Sequence, residues 1–255
     1  MRFFNTEGSV RPDDHYSLPP LQRWNLNEVL ELIDQKKYFL LHAPRQTGKT
    51  TCLLALTDYL NREGRYRALY VNIEAAQAAR ERVEAGMGAV VQAIANSATW
   101  RLGDANVDAL AREVLQGPSV LVGVEAFLTR WCALSPQPLV LLLDEVDALV
   151  GDTLISLLRQ LRAGYEQRPH HFPQTVILCG VRDLRDYRIH SHAEATIITG
   201  GSAFNIRAKS LRLGDFTADE TTTLLQEHTL ETGQVFTPEA LAQVWRLTQG
   251  QPWLV

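Results

Sequence analysis

Residues 43–51 read Ala43-Pro44-Arg45-Gln46-Thr47-Gly48-Lys49-Thr50-Thr51, setting a glycine, a lysine and two hydroxyls in direct succession. Those types in that order suit a loop that wraps phosphate. The usual pattern is G-x4-G-K-[ST]: backbone N–H groups cradle the oxygens, the lysine reaches the outer phosphates and the hydroxyl meets a magnesium ion. Pro44 has no N–H, so the donors are expected from Gln46 to Thr51. Lys49 is the decisive residue, because a unit charge pair at ~4 Å is worth about 4 kcal/mol at an effective dielectric near 20. Taken alone, the run could also be a polar loop with an exposed lysine, but its flanks favour the first reading. Tyr38-Phe39-Leu40-Leu41-His42 is short, aromatic and aliphatic, as a buried strand should be. After the loop, Cys52, Leu53, Leu54, Leu56, Tyr59 and Leu60 recur at helical spacing, and Gly64 stands just past their end. A strand, a turn and a helix N-terminus in that order present converging N–H groups and the positive end of a helix dipole.

A second run, Pro138-Leu139-Val140-Leu141-Leu142-Leu143-Asp144-Glu145-Val146-Asp147, is an aliphatic strand tipped with carboxylates. Ligands of open α/β sheets bind at the carboxyl ends of strands. Asp144 is therefore expected to hold Mg²⁺ together with Thr50, and Glu145 to align and deprotonate a water. The bland alternative is a strand followed by an acidic helix N-terminus, which the dipole alone would favour. Pairing with the loop at 43–51 puts that alternative behind.

These groups need a scaffold. With 255 residues, 45% of them apolar, the chain can build a substantial core. Lysine and arginine total 25 against 29 aspartate and glutamate, a net charge of −4, so there is no broad basic footprint for nucleic acid. Cys52, Cys132 and Cys179 are dispersed in apolar runs and read as buried reduced thiols. Met1 to Val10 has no signal-peptide core and no apolar stretch approaches 18 residues, so the cytoplasm is the default expectation, with no membrane span.

Residues 1–24 are irregular and proline-rich. Asn25 caps a helix with Glu28 three residues on and Leu26, Val29, Leu30 and Ile33 on one face. Ala68 to Ile73 form a second strand ending at Glu74, and residues 76–134 are mostly helical, broken at Gly117-Pro118, with a stripe of Val120, Leu121, Val124, Phe127, Leu128 and Trp131. Beyond the acidic strand come a helix with Leu154, Ile155, Leu157, Leu158 and Leu161 inward and a β-rich run from Thr175 to Cys179. Residues 184–207 give no clear pattern, and Ser210 to Leu213 suit a last strand. Thr217-Ala218-Asp219-Glu220 is a capping box, and Thr237-Pro238 opens another helix carrying Leu241, Val244, Trp245 and Leu247 up to Gly250. Alternating strands and helices predict a mostly parallel sheet covered on both faces, with the all-helical tail packed on it as a small lid whose core includes Trp245 and Trp253.

Together these motifs resemble the P-loop ATPases of the AAA+ and STAND superfamily, in particular an AAA-like bacterial and archaeal group with an APRQTGKTT loop. The resemblance spans nearly the whole chain. It implies a three-layer P-loop sandwich with sheet order 5-1-4-3-2 and a C-terminal helical lid. The divisions are an adenine-side segment over 1–24, a core over 25–214 and a lid over 215–255 that the chain's end at Val255 leaves incomplete. ATP or ADP and Mg²⁺ are the implied cofactors. Phe4-Asn5-Thr6, His15-Tyr16 and Leu18-Pro19-Pro20 resemble the group's N-terminal segment, which puts Tyr16 near adenine. Leu211-Arg212-Leu213 with Phe216 looks like the last core strand leading into the lid, and Gly250-Gln251-Pro252 is similar to a GxP element whose proline packs near the base. Cys179-Gly180-Val181-Arg182-Asp183 looks like a sensor-1 strand end with Arg182 facing the γ-phosphate, although Arg185 and Arg188 lie close by and any of the three could pair with Asp183 or Asp186. Ala43 is a variant known in the superfamily, its role being compactness at the strand end. The implied strand order places Glu74 on an edge strand, too far for chemistry.

Arg159, Arg162 and Arg168 are candidates for an arginine acting on a neighbouring subunit, against the simpler reading of a solvated face. His170-His171 and His190-x-His192 fit exposed loops better than a zinc site. The leading functional expectation is a switch that hydrolyses Mg-ATP between core and lid and is read by a protein partner or by self-association. The alternatives are an assembly scaffold with little turnover and a DNA-associated initiator similar to the Orc/Cdc6 branch. The last needs a basic patch and a reading helix, and the sequence contains neither. A guanine-specific Asn-Lys-x-Asp pattern is also missing, which favours ATP.

Overall fold

The computed structural model describes residues 1–117, 119–181, 189–190, 197–198 and 207–255. Arg182, Asp183, Arg185, Asp186, Arg188 and His192 lie outside the described residues, as does the side chain of His190. Five strands make the main sheet: β1 (Tyr38–His42), β2 (Arg67–Asn72), β3 (Leu139–Asp144), β4 (Thr175–Gly180) and β5 (Arg207–Arg212). All pair in parallel, in the order β2-β3-β4-β1-β5, which is the expected 5-1-4-3-2 arrangement. β5 begins at Arg207, earlier than the sequence suggests, because its pairing with β1 already starts at Tyr38. A short antiparallel ladder joins Ile189–His190 to Ile197–Ile198.

Period-two alternation sorts each strand's side chains between two cores. Tyr38, Leu40, Leu69, Val71, Leu141, Leu143, Val176 and Leu178 face one side. There they meet α3 (Val83–Leu102), α4 (Asn106–Leu115), α5 (Gly123–Leu134) and α6 (Gly151–Ala163). Phe39, Leu41, Ala68, Tyr70, Val140, Leu142, Ile177 and Cys179 face the other, against α1 (Leu26–Asp34) and α2 (Lys49–Glu63). Each fully buried Leu, Ile, Val or Phe contributes roughly 1.5–3 kcal/mol of transfer free energy, so both faces are firmly held. The three cysteines are free and buried, and burial pushes the Cys52 thiol up to about 11 and the Cys132 thiol up to about 12.

Local signals held where the backbone decides them. The Asn25 side chain accepts from the Glu28 N–H, while the Glu28 carboxylate pairs with Lys209 on β5. At α7 (Ala218–Thr232) both halves of the Thr217–Glu220 capping box are present. The expected stripe through Leu121 needs correction: Val120–Val122 form a 3₁₀ turn ahead of α5, and Leu121 points to solvent. The expected lid core needs it too. α8 (Pro238–Thr248) has no fully buried residue, Leu247 is 67% exposed and Trp253 is 44% exposed. α8 packs beside α7 and leaves Leu247 of its apolar stripe exposed. Arg168 is also settled: its guanidinium lies over the rings of Tyr165, at 3.3 Å, and Tyr38, at 5.1 Å, and it donates to the Lys36 carbonyl. It fastens the loop before β4 and is not offered outward. No helix among the described residues is long and apolar enough to cross a membrane.

Gly164 marks how tightly the end of α6 meets the loop before β4: a Cβ there would lie 2.2 Å from the ring of the fully buried Phe172. Gly164→Ala is expected to cost roughly 1–3 kcal/mol through overpacking, read as a lower urea midpoint at unchanged m. An unaltered midpoint would mean that the ring yields freely.

Candidate functional site

The site starts where β1 ends. Ala43 is fully buried and has no positive φ, in keeping with a compact strand end, and its N–H donates to the Gly180 carbonyl of β4 at 3.3 Å. The chain then reverses through Gln46 (φ 62°) and Gly48 (φ 86°), and α2 begins at Lys49. The left-handed φ at Gly48 favours glycine. The Arg23 guanidinium lies close by, its Nη1 2.8 Å from where a Cβ would sit, and would have to swing aside for a larger residue. The Thr47 hydroxyl donates to the Pro44 carbonyl at 2.9 Å, tightening the turn. The nearly buried Lys49 ammonium donates to the Ala43 and Pro44 carbonyls at 2.9 and 2.8 Å, which holds it at the throat of the loop. The N–H groups of α2's first turn have no intrahelical acceptor and open on the same space.

β3 carries the second half. The Thr50 hydroxyl donates to Asp144 Oδ2 at 2.7 Å, and the Tyr70 hydroxyl donates to the same oxygen at 3.0 Å. Oδ1 accepts the Glu145 N–H at 2.9 Å. Burial, Asp144 and its hydrogen bond raise the Tyr70 hydroxyl and, from β4, the Cys179 thiol, so both remain protonated. Asp144 is thus 1% exposed, surrounded by neutral donors, with no cation at ion-pair distance among the described residues. A buried hard carboxylate beside a hydroxyl suits magnesium, which binds through one or two carboxylates, phosphate oxygens and waters. Among the described residues no group of three or more His, Cys, Asp or Glu could hold a metal by itself.

Glu145 follows with φ 59° and ψ 41°, left-handed values that only a firm surround imposes on a side-chain-bearing residue. Burial, then Asp144, raise its carboxyl above the ordinary range against the lowering pull of Lys49; Asp147 and Glu74 add to the rise. Glu74 is thereby the third acid whose charge reaches Glu145, after Asp144 and Asp147.

The third acid corrects the sequence reading. Glu74 lines the same cleft of about 420 Å³ as Lys49, Thr50 and Glu145. β2 is indeed the edge strand, but it runs level with β3, Asn72 opposite Asp144. The Ile73 N–H donates to the Asp144 carbonyl, and the Asn72 side chain accepts from the Glu74 N–H at 2.7 Å. These bonds curl the chain back over the strand ends. An Asn two positions before an acid at a strand end was the available signal.

On the other side of Gly48 and Thr51 lies a cavity of about 200 Å³, walled by Phe4, Tyr16, Leu18, Phe216, Leu224 and Pro252. Tyr16 and Pro252 therefore meet at one apolar chamber, and Gly48 and Thr51 line both spaces. The N-terminal segment is tied across it. The Val10 N–H donates to the Thr51 hydroxyl at 3.1 Å, Tyr16 Oη lies 3.2 Å from His228 Nδ1, and Arg2 pairs with Glu227 and Glu231 on α7 at 3.0 Å each. His170 and His171 are exposed, as expected.

A family model described as an AAA domain matches residues 33–187. No curated protein matches the sequence significantly. Among solved structures, a Walker-type ATPase of Pyrococcus abyssi has a TM-score of 0.60 at 16% identity, covering 98% of this chain and 68% of that one. The Aeropyrum pernix ORC1 protein in complex with DNA gives 0.52 at 19%, covering 93% and 58%. The ORC2 protein of the same organism, in ADPNP-ADP complexes, gives 0.52 at 15%, covering 97% and 61%. The chain thus spans less than two thirds of either ORC protein. At these identities the likeness is one of fold.

The left-handed backbone at Glu145 has a measurable consequence. Glu145→Gly should be more stable than Glu145→Ala by about 1 kcal/mol, since only glycine adopts that conformation without steric cost. Urea unfolding of the two variants without nucleotide checks this, and equal stabilities would contradict the strain.

Proposed function

Because the chain belongs to the AAA domain family of P-loop ATPases, we propose that it binds Mg-ATP between the sheet and the C-terminal helical pair and hydrolyses it as a molecular switch. The observation that carries this reading is the 2.7 Å bond from Thr50 to Asp144, which joins the lysine-bearing loop to the acid-tipped strand. Lys49 leaves its two loop carbonyls to neutralise the β- and γ-phosphates, while the N–H groups from Gln46 to Thr51 orient them. Thr50 and Asp144 would hold Mg²⁺, whose charge would offset the phosphate oxygens. Glu145, its basicity raised by burial and neighbouring acids, accepts the proton of the attacking water. Arg182 is assigned to the γ-phosphate by resemblance alone. Tyr16 and Pro252 flank the base in the apolar chamber, which follows the division into an adenine-side segment over 1–24, a core over 25–214 and a lid over 215–255.

The finer placement within the STAND group, a cytoplasmic setting and a protein partner or self-association belong to the same proposal. A DNA-associated role is a second reading. The fold it shares with an ORC1 protein solved with DNA favours it, and the net charge of −4 weighs against it.

Lys49→Ala should remove ATP binding by calorimetry while leaving the melting curve in place; retained binding would remove the site. Glu145→Gln should keep ATP bound and slow phosphate release by roughly 10²–10⁴-fold, the usual span for a lost general base. Turnover at the wild-type rate would make Glu145 structural, and a wild type without turnover would favour the scaffold alternative. Glu74→Gln separates the two acids: a fall in turnover at unchanged ATP affinity would give Glu74 a part in aligning the water.

A further inference from the structure

Arg23 closes the 3₁₀ turn Pro20–Arg23 just before α1, and nothing in the assignments above uses it. Its guanidinium reaches two distant pieces of backbone. Nη1 donates to the Thr47 carbonyl at 2.5 Å, Nη2 donates to the Gly214 carbonyl at 2.7 Å, and the group stacks on the Phe216 ring at 4.4 Å. Thr47 belongs to the phosphate loop, whereas Gly214 and Phe216 lie on the segment between β5 and α7. Among the described residues no carboxylate lies at ion-pair distance from Arg23. Two carbonyl dipoles and an aromatic face are what balance this partly buried cation.

The bond to Thr47 fixes more than an oxygen. A trans peptide is planar, with its C=O and N–H pointing opposite ways. Drawing the Thr47 carbonyl toward Arg23 therefore turns the Gly48 N–H away from Arg23. Gly48 lies against the guanidinium, with Nη1 2.8 Å from where a Cβ would be, and it borders both the chamber and the cleft. The guanidinium is a rigid planar fork, so a shift of the Gly214 carbonyl tilts the nitrogen that holds Thr47. A lysine ammonium could satisfy either carbonyl but could not transmit that tilt.

We propose that Arg23 is a positioning residue that couples the phosphate loop to the C-terminal helical pair, holding the Thr47–Gly48 peptide in its phosphate-binding orientation while the Gly214–Phe216 segment is docked. The proposal rests on the reading of residues 43–51 as an ATP site. It is tested with Arg23→Lys and Arg23→Gln in the full chain, measuring ATP affinity by calorimetry and hydrogen exchange of residues 214–232 with and without Mg-ATP. In wild type, ATP should slow exchange in that segment. Arg23→Gln should lower affinity about tenfold, the equivalent of one charge-assisted hydrogen bond, and abolish the ATP-induced slowing. Arg23→Lys should recover part of the affinity but none of the slowing, which separates coupling from charge. If Arg23→Gln does not fold, the lysine variant decides alone: ATP-induced slowing as in wild type overturns the coupling. A wild type that binds ATP alongside variants with unaltered affinity and slowing also overturns it, whereas a wild type that binds no ATP overturns the site and the coupling together.

Discussion

The hydrogen bond between Thr50 and Asp144 is the point on which the arrangement turns. It forms because parallel strands carry their carboxyl ends to one rim of the sheet and because β4 alone separates β1 from β3. The loop leaving β1 and the acid ending β3 are then close enough for a hydroxyl to reach a buried carboxylate. Three neutral donors keep that carboxylate in place. Tyr70 from the edge strand is one of them, so the edge of the sheet also fixes the centre of the site.

The same rim explains why one side of the loop is polar and the other greasy. Toward the strand ends, Lys49, Glu74 and Glu145 make a charged cleft. Toward the N-terminal segment, aromatic and aliphatic residues from opposite ends of the chain make a mainly apolar chamber. Gly48 and Thr51 belong to both, which is the division a molecule with a charged tail and a flat apolar head requires.

Much of this was legible from residue order. The loop, the acidic strand, the buried thiols and the Thr217 box depend on contiguous patterns, and contiguous patterns survive folding. Glu74 was misread because strand order locates a residue across the sheet but not the turn after it; Asn72 redirects the chain. Leu247 and Leu121 were misread because periodicity says which face of a helix is apolar, not whether anything covers it, and Trp253 because a tryptophan past a helix end can line a cavity as well as fill a core. Arg168 was read as a solvated arginine because its stacking on Tyr38 joins residues far apart in the chain. Arg23 left no trace for the same reason: its acceptors are backbone carbonyls, and a carbonyl has no letter.

The position of β1 bears on how the molecule is made. It precedes both of its partners in the chain, pairing through Phe39 with Ile177 on one side and with Lys209 on the other. The strand that supports the lysine loop must wait, unpaired and apolar, until its partners at 177–180 and 207–212 have been made. Such long-range pairing is slow to close and leaves sticky surface uncovered meanwhile. The nascent protein therefore carries an uncovered apolar strand at the base of its lysine loop until those partners arrive.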